Sequence, residues 1–314
     1  MKRYNLSEIM KRAHNLYNNA RALMIGEQIF LSRDNIATII GKPKSYKTFL
    51  TSSFAGAFLS GCFMNLSTKK ENGKLLFLDT EQGRARTQKV QQRINLICGL
   101  DKETINDNLI MLSVREFDTQ KRLETLKEAI AYNSPDLVLV DGIRDLLANF
   151  NDIDESNYVV NEMMKLSSDF NCGIITVIHQ NKGDANARGH LGSELMNKSQ
   201  SVIEMRKLGN IGIARPLHCR DIEFNDFSFL IDEQGLPQPC GTPATNILTK
   251  EEQLQNLIEE AFDDTNISSK ETLLRFIAQR TGLSNKTAIR RIDSAVEAGL
   301  IEVLPNKMYQ LKGE

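Results

Sequence analysis

The chain has 314 residues, of which 41% are hydrophobic and 25% are charged, an ordinary composition for a globular protein. At roughly 100–200 residues per domain, this length predicts one large domain and a small one. The formal net charge of −1 means that any nucleic-acid surface must be local. The five cysteines are scattered without a C-x-x-C pair, which favours reduced thiols over a zinc site or a disulfide framework. The polar N-terminus lacks a signal-peptide core and no apolar run is long enough to span a bilayer, so we expect a cytoplasmic protein with no membrane partner.

The first 237 residues are predicted to hold an N-terminal segment and a large α/β domain. Residues 1–34 are polar and amphipathic, which indicates a helical segment. From residue 35 onward, aliphatic runs alternate with amphipathic stretches, and the runs at 35–41, 73–81, 108–114, 135–142 and 172–180 are predicted strands. Continuous aliphatic strands separated by helices are typical of a mainly parallel sheet covered on both faces. We therefore predict an α/β, doubly wound domain over 35–237.

The pattern changes after residue 200, where strands follow one another without helices. "QSVIEMRKLGNIGIARPLHCRD" predicts two strands joined at Gly209-Asn210, and "DFSFLIDEQGLP" predicts a third, giving an antiparallel extension at one sheet edge. Residues 238–267 are predicted to be a linker followed by an acidic helix. Within that stretch, 251–266 holds six acidic residues and no basic one, as expected of a solvated helix.

The segment "GKPKSYKT" follows a predicted strand and opens a predicted helix, which is the context of a phosphate-binding loop. Such a loop turns backbone N–H groups toward phosphates, and the helix N-terminus adds a favourable dipole. Lys47 is expected to reach the β- and γ-phosphates, and the Thr48 hydroxyl is expected to bind Mg²⁺. The residues expected to contact ATP are Gly41, Lys42, Pro43, Lys44, Ser45, Tyr46, Lys47, Thr48 and Phe49.

Tyr46 departs from the usual pattern G-x-x-x-x-G-K-[ST], which has its second glycine at this position. Glycine is favoured there because the backbone passes close to phosphate without a Cβ. A tyrosine fits if its dihedrals stay in an allowed region and its ring points outward, and Lys44 offers compensating positive charge. The departure bears more on hydrolysis than on binding.

"PDLVLVDG" ends in Asp141 after four apolar residues, the form of a strand whose aspartate holds Mg²⁺. An aspartate at a strand end is by itself often a turn former. Together with the phosphate loop, it predicts a metal-binding carboxylate on the strand beside that loop.

Three segments, "FLDTEQ", "LVLVDGIRDL" and "ITVIHQNKGDANARGHLGS", resemble in order the strand motifs of RecA-fold P-loop ATPases. The closest likeness is to the RepA-like hexameric replicative helicases of plasmids and mobile elements, over roughly residues 10–237. The resemblance implies a RecA-like domain that binds ATP and Mg²⁺, assembles as a homo-oligomer, most plausibly a hexamer, and acts on DNA.

The resemblance also implies catalytic roles. Glu81 matches the glutamate that orients the attacking water, and His179 or Gln180 matches the sensor of the γ-phosphate. Arg206 and Lys207 match basic residues that act on the neighbouring subunit's nucleotide, and Arg188 is a second candidate.

Structural alternatives stay open for each of these residues. Glu81 can cap a helix, and His179 and Gln180 can satisfy backbone groups at a strand end. Arg206 and Lys207 can be solvated edge-strand charges. Arg84 and Arg86, just after Glu81, favour a helical salt-bridge face over a nucleotide contact.

Residues 268–314 resemble a bacterial winged-helix module, with two helices followed by a hairpin that turns at Pro305-Asn306. The apolar positions of the second helix leave Lys286, Thr287, Arg290 and Arg291 pointing outward as candidate DNA contacts. This stretch has eight Lys/Arg against five Asp/Glu, a net charge of +3, which fits phosphate contacts. A winged helix used for protein contact or subunit assembly is the alternative.

The sequence thus predicts an ATP hydrolase, a helicase-like motor or loader that serves replication or mobilisation of a genetic element. A nucleotide-switched DNA-binding regulator without translocation is the alternative, and Tyr46 keeps it open. A P-loop scaffold that only binds partners is the third possibility.

Overall fold

The structure, a computed structural model, describes residues 21–69, 73–180, 189–241, 254–255, 257–258, 261–262, 267–281 and 284–311. The chain divides into two compact units, Met1–Thr242 and Pro243–Glu314. No helix among these described residues is long and apolar enough to cross a membrane.

A nine-stranded sheet forms the centre of the first unit, with the strand order β13-β12-β11-β10-β3-β9-β8-β6-β7. The strands are β3 (Asn35–Gly41), β6 (Leu75–Asp79), β7 (Leu109–Ser113), β8 (Leu137–Asp141), β9 (Gly173–His179), β10 (Ser201–Leu208), β11 (Ile211–Cys219), β12 (Phe227–Ile231) and β13 (Pro237–Cys240). The six strands from β10 to β7 in that order are parallel, and β11, β12 and β13 extend the sheet antiparallel beyond β10. The predicted α/β class and the mainly parallel sheet are confirmed.

Helices cover both faces of this sheet. They are α1 (Lys47–Ser60), α2 (Arg84–Ile97), α3 (Thr119–Asn133), α4 (Ile153–Phe170) and α5 (Gly189–Lys198), with a 3₁₀ turn at Ile143–Leu146. Side chains of β3 alternate between the faces: Ala37 and Ile39 join the cluster that contains α1 and α2, while Ile36 and Ile40 join the cluster of α3, α4 and α5. Burial on both sides explains the continuous aliphatic runs of the parallel strands.

The N-terminal part of the domain differs from the sequence prediction. Within the predicted helical segment 1–34, the residues that the structure describes form a hairpin of β1 (Arg21–Ile25) and β2 (Gln28–Ser32), while residues 1–20 lie outside the described part. The hairpin belongs to a four-stranded sheet with β4 (Cys62–Phe63) and β5 (Leu66–Ser67). Its buried Phe30 stacks on Phe54 of α1 with ring centroids 4.7 Å apart. This long-range contact, which local amphipathicity does not show, stabilises strands here.

Two other elements were not predicted. Residues 189–198 form helix α5, where the sequence pattern predicted no helix, and Leu191 and Leu195 of this helix are buried. The predicted linker from residue 238 begins instead as β13, although this strand contains Pro237 and Pro239. Because β13 lies at the sheet edge, a proline without an N–H is tolerated there.

The described residues of the second unit include two helices and a three-stranded antiparallel sheet of the order β14-β16-β15. Its elements are β14 (Ile267–Ser268), α6 (Lys270–Thr281), α7 (Asn285–Glu297), β15 (Ile301–Val303) and β16 (Tyr309–Leu311). Leu257, Ile258 and Phe262 of the segment predicted as a solvated acidic helix are buried in the same core as Leu273 and Ile292. The apolar residues of that segment therefore belong to this core, and its acidic composition alone gave no sign of this.

Candidate nucleotide-binding site

The candidate site lies at the carboxyl ends of the parallel strands, where open α/β sheets bind ligands. Gly41, Asp79, Asp141 and His179 each end a strand. The pairing register sets Gly41 beside His179 and Asp79 beside Asp141. The loop after Gly41 and helix α1 close one side of a cleft of about 600 Å³. The strand pairing therefore brings together polar residues that are far apart in the sequence.

The phosphate loop begins at a position that only glycine can occupy. A Cβ on Gly41 would stand 2.6 Å from both the Met205 carbonyl oxygen and the Ser45 Oγ. The loop then turns back on itself through a hydrogen bond from the Ser45 N–H to the Lys42 carbonyl, 3.2 Å. Ser45 Oγ lines the cleft and, within the described residues, is buried without a hydrogen-bond partner. A buried hydroxyl of this kind is expected to meet a ligand oxygen.

Lys47 is the first residue of α1 and its side chain is only 7% exposed. Its ammonium group donates to the carbonyl oxygens of Gly41 and Lys42, at 2.9 and 2.8 Å, and lies 3.1 Å from His179 Nδ1. Burial lowers the pKa of Lys47 to about 8, against the opposing effect of the Asp141 and Glu81 carboxylates. The ammonium group is thus held beside the loop by neutral acceptors, mainly backbone carbonyl oxygens, which phosphate oxygens can replace.

Thr48 and Asp141 form the candidate metal site. Thr48 Oγ1 donates to Asp141 Oδ2 at 3.0 Å. Burial, together with the neighbouring Asp79 and Glu81 carboxylates, raises the pKa of Asp141 to about 7. The prediction that Asp141 lies on the strand next to the phosphate-loop strand is wrong, because β9 lies between β3 and β8. The Thr48 side chain on α1 reaches across β9, so the two groups still meet.

Glu81 and His179 form the third pair of the cleft. Glu81 Oε1 lies 3.3 Å from His179 Nε2. An ammonium group only donates, so His179 Nδ1 accepts from Lys47 and Nε2 carries the hydrogen that points to Glu81. The hydrogen bond from His179 is the main cause that lowers the pKa of Glu81. The carboxylate is therefore ionised near neutral pH and stands beside the cleft, connected to Lys47 through one imidazole ring.

Asp79 holds the turn that carries Glu81, and the sequence prediction did not single it out. Its Oδ1 accepts from the backbone N–H groups of Glu81 and Gln82, at 3.1 and 2.9 Å, and its Oδ2 accepts from Thr87 Oγ1 at 2.8 Å. Asp79 is fully buried, and this burial raises the pKa of its carboxyl group. The sequence did contain a signal for this role, because an aspartate two residues before Glu81 and shortly before a helix start is well placed to accept backbone N–H groups.

Gln180 faces away from Lys47. Its Nε2 donates to Glu204 Oε1 at 2.7 Å, and Glu204 Oε2 accepts from Arg206 Nε, also at 2.7 Å. Its backbone N–H donates to the Gly41 carbonyl at 3.2 Å. Of the two sensor candidates, the structure therefore brings His179 into the cleft and attaches Gln180 to β10.

Lys207 lines the cleft of its own chain, where the family resemblance implied action on a neighbour's nucleotide. Its ammonium group stands 4.5 Å from the centre of the Tyr46 ring. Arg206 is paired with Glu204 and its side chain is 19% exposed. Arg188 lies outside the described residues.

Helix α2 adds positive charge to the cleft. The sequence pattern indicated a salt-bridge face for Arg84 and Arg86 and gave no role to the other basic residues of this helix. Arg84 does pair with Glu116, at 2.5 Å, as such a face requires. Arg86 instead lines the cleft together with Lys89 and Arg93. The spacing of these three residues places them on one face of the helix, and this spacing is readable from the sequence. Lys44 also lines the cleft, so the described wall is strongly basic.

This arrangement fits a Mg²⁺–nucleoside triphosphate. The first turn of α1 has N–H groups without intrahelical acceptors, and the buried Ser45 hydroxyl and the Lys47 ammonium lie beside them. Mg²⁺ usually binds through one or two protein oxygens plus phosphates and water, as Thr48 and Asp141 would provide.

The four candidate DNA-contacting residues lie on or near one face of α7. Lys286 and Arg290 are exposed, while Thr287 and Arg291 are half-buried. Thr287 Oγ1 lies 3.1 Å from Ser284 Oγ at the helix start, so part of its hydrogen-bonding capacity serves the cap. Ala288, Ile292 and Ala295 are buried, as the helical period predicts.

The sheet order, the phosphate loop and the carboxylates at the strand ends define a P-loop domain of the α/β class. The sequence profile of the AAA domain matches residues 19–185, more than half of the chain, and the protein belongs to this family. No curated protein matches the sequence. Among solved structures, the crystal structure of the RadB recombinase is similar, with 17% identity and a TM-score of 0.47 over 65% of this chain and 90% of that one.

The two shifted pKa values predict a narrow pH window for Mg²⁺–nucleotide binding. We expect binding to use the carboxylate of Asp141, whose pKa is about 7, and the ammonium of Lys47, whose pKa is about 8. Below pH 7, binding must release a proton from Asp141, and above pH 8 it must supply one to Lys47. The dissociation constant, measured by titration of a fluorescent nucleotide, is expected to be lowest near pH 7–8 and to rise up to about tenfold per pH unit outside it.

Two variants separate the limbs of this profile. Asp141→Asn should remove the acid limb, and Lys47→Arg, whose guanidinium stays charged, should remove the alkaline limb. A flat profile for the unmodified protein between pH 5.5 and 9.5 would contradict the assignment.

Asp79 is expected to act on turnover through Glu81 without touching the nucleotide. Asp79→Ala removes the acceptor of two backbone N–H groups, so we expect a loss of about 1–3 kcal/mol in unfolding free energy. We also expect a roughly tenfold or larger fall in kcat, because Glu81 loses its position. Asp79→Asn keeps an acceptor oxygen and is the matched control, with kcat close to that of the unmodified protein. Equal kcat values for the alanine variant and the unmodified protein would rule out this positioning role.

Proposed function

We propose that the protein is a DNA-coupled ATPase that works in a homo-oligomer, a hexamer, as a helicase-like motor or loader. The convergence of three groups in one cleft carries the proposal: the Lys47 ammonium, the Thr48–Asp141 pair and the Glu81–His179 pair. A scaffold that merely binds partners has no need for an ionised carboxylate beside a phosphate loop.

In the proposed reaction, the loop and Lys47 hold the phosphates. Lys47 leaves the Gly41 and Lys42 carbonyls, which are neutral acceptors, for the charged oxygens of the β- and γ-phosphates. Thr48 and Asp141 would hold Mg²⁺, which would neutralise charge on the phosphate oxygens. The Ser45 hydroxyl donates to a phosphate oxygen and so gains the partner that it lacks among the described residues.

Glu81 orients a water molecule for attack on the γ-phosphate and accepts its proton. The hydrogen bond from His179 keeps this carboxylate ionised at neutral pH, as an acceptor must be. When Lys47 moves to the phosphates, His179 Nδ1 loses the Lys47 ammonium as its hydrogen-bond donor. The hydrogen bonds of the imidazole then depend on whether the terminal phosphate is present. His179 is therefore the proposed sensor of the γ-phosphate. Gln180 instead connects β3, through the Gly41 carbonyl, to Glu204 of β10.

The cations of the cleft divide into local and intersubunit groups in this proposal. Lys207 serves the nucleotide of its own chain, because it lines that cleft. Either Arg206, once it has separated from Glu204, or Arg188 is proposed to act on the nucleotide of a neighbouring subunit.

The second unit is proposed to be a winged helix that contacts DNA. Its order of strand, helix, helix and hairpin supports this, with α7 as the groove-reading helix and β15–β16 as the wing. Exposed Lys286 and Arg290 supply positive charge at the start and middle of α7.

ATP turnover measured with and without single-stranded DNA, together with the mass of the assembly, tests the motor. We expect stimulation by DNA and a mass of several subunits. Lys47→Ala should abolish nucleotide binding, whereas Glu81→Gln should retain binding and lose roughly 10²–10⁴-fold in kcat, the usual contribution of a general base. Glu116→Gln, on the surface pair with Arg84, is the matched control and should leave kcat unchanged.

The DNA contact of α7 is tested by salt-dependent binding to duplex DNA. Arg290→Ala should weaken binding and reduce the slope of log K against log salt by about 1, since one phosphate contact is lost. Arg275→Ala removes an exposed charge that lies on α6 and should leave the slope unchanged. Equal slopes for both variants would favour a winged helix that contacts protein.

A nucleotide-switched DNA-binding regulator is the second candidate. The left-handed backbone of Tyr46 in the phosphate loop favours it, because a loop held by side-chain packing suits slow turnover. Nucleotide binding without stimulated turnover, together with tight sequence-specific duplex binding, would support the regulator. Failure to bind nucleotide would leave the scaffold.

A further inference from the structure

Tyr46 stands where the phosphate-loop pattern has glycine, and its backbone adopts the conformation for which glycine is used there. Its dihedral angles are φ 67° and ψ 20°, in the left-handed region. A side chain with a Cβ is disfavoured in this region because the Cβ crowds the following carbonyl oxygen. Some other contact must therefore hold Tyr46 in this conformation.

The ring of Tyr46 makes three such contacts, one of which comes from the antiparallel extension of the sheet. It packs edge-on against Phe49 of α1, with centroids 5.4 Å apart. It also lies 6.5 Å from the Phe229 ring of β12, and the Lys207 ammonium of β10 stands 4.5 Å from its centre.

Lys207, Gly212 and Phe229 form one row across β10, β11 and β12, since Lys207 pairs with Gly212 and Gly212 pairs with Phe229. A Cβ on Gly212 would stand 3.2 Å from Tyr46 Cδ2 and 2.9 Å from the Phe229 ring. The absence of a side chain at Gly212 thus leaves the space that the Tyr46 ring fills. We call these three residues the Tyr46 platform.

We infer that the Tyr46 platform substitutes for the missing glycine: it clamps the Tyr46 ring and thereby holds the phosphate loop in its nucleotide-binding shape. The inference rests on the proposed nucleotide binding at this loop. Tyr46 and Phe229 are then positioning residues for the nucleotide. The affinity of the loop depends on the antiparallel extension, which lies outside the phosphate-loop motif itself.

Three substitutions of Tyr46 are expected to give an order of nucleotide affinities that does not follow the size of the side chain. Tyr46→Phe keeps the ring and Tyr46→Gly removes the backbone penalty, so both should bind Mg²⁺–ADP about as tightly as the unmodified protein. Tyr46→Ala has the penalty without the ring, and its dissociation constant should rise about tenfold. Its melting temperature should also fall below that of Tyr46→Gly.

A double-mutant cycle tests the platform. Phe229→Leu should weaken Mg²⁺–ADP binding several-fold with Tyr46 present and less than twofold in the Tyr46→Gly background, while the melting temperature falls in both. Phe77→Leu, in the same core on a central strand, is the control for stability alone and should leave both dissociation constants unchanged.

Three results would overturn the inference. They are binding by Tyr46→Ala equal to that by Tyr46→Gly, a loss for Tyr46→Phe as large as for Tyr46→Ala, or an equal effect of Phe229→Leu in both backgrounds. Absence of nucleotide binding by the unmodified protein would overturn the proposed function as well, which distinguishes the two failures.

Discussion

The pairing of β3 with β9 on one side and with β10 on the other fixes where the phosphate loop starts. Gly41 is aligned with His179 in one neighbour and with Met205 in the other. The tight approach of Met205 to Gly41 leaves no room for a side chain, so glycine is required where the strand passes into the loop. Lys47 and Thr48 then begin α1 in front of the strand ends. Every group of the cleft takes its place from this arrangement.

Charge balance is the second constraint on the cleft. Asp79, Asp141 and Glu81 bring three carboxyl groups close together, and burial, followed by repulsion from the other two carboxylates, raises the pKa of Asp141 to about 7. Lys47 and the basic face of α2 oppose them. The cleft therefore brings together buried charges of both signs, which a polyanion with a divalent cation would complement. His179 couples the two sides, because one ring nitrogen accepts from Lys47 and the other donates to Glu81.

Much of the fold was predictable because the parallel strands are buried on both faces. Each such strand appears as a continuous aliphatic run, and the five runs predicted between residues 35 and 180 correspond to β3, β6, β7, β8 and β9. Elements held by long-range contacts were missed. The β1–β2 hairpin depends on Phe30 against Phe54, and α5 on burial of Leu191 and Leu195, neither of which shows in local sequence. The edge strand β13 was missed because its prolines suggest a linker, although an edge has no ladder partner on its outer side.

The sequence by itself determined which residues are candidates for the site: a phosphate loop with Lys47 and Thr48, Glu81 and Asp141 near strand ends, and either His179 or Gln180. Short motifs carry this information because the loop contacts phosphate through its own backbone and adjacent side chains. Only the tertiary structure decided how distant residues serve the loop. It placed β9 between the loop strand and Asp141, turned Gln180 toward Glu204, brought Lys207 to its own cleft and set Phe229 against Tyr46. Strand order and cross-strand register fix these contacts, and no local pattern in the sequence encodes them.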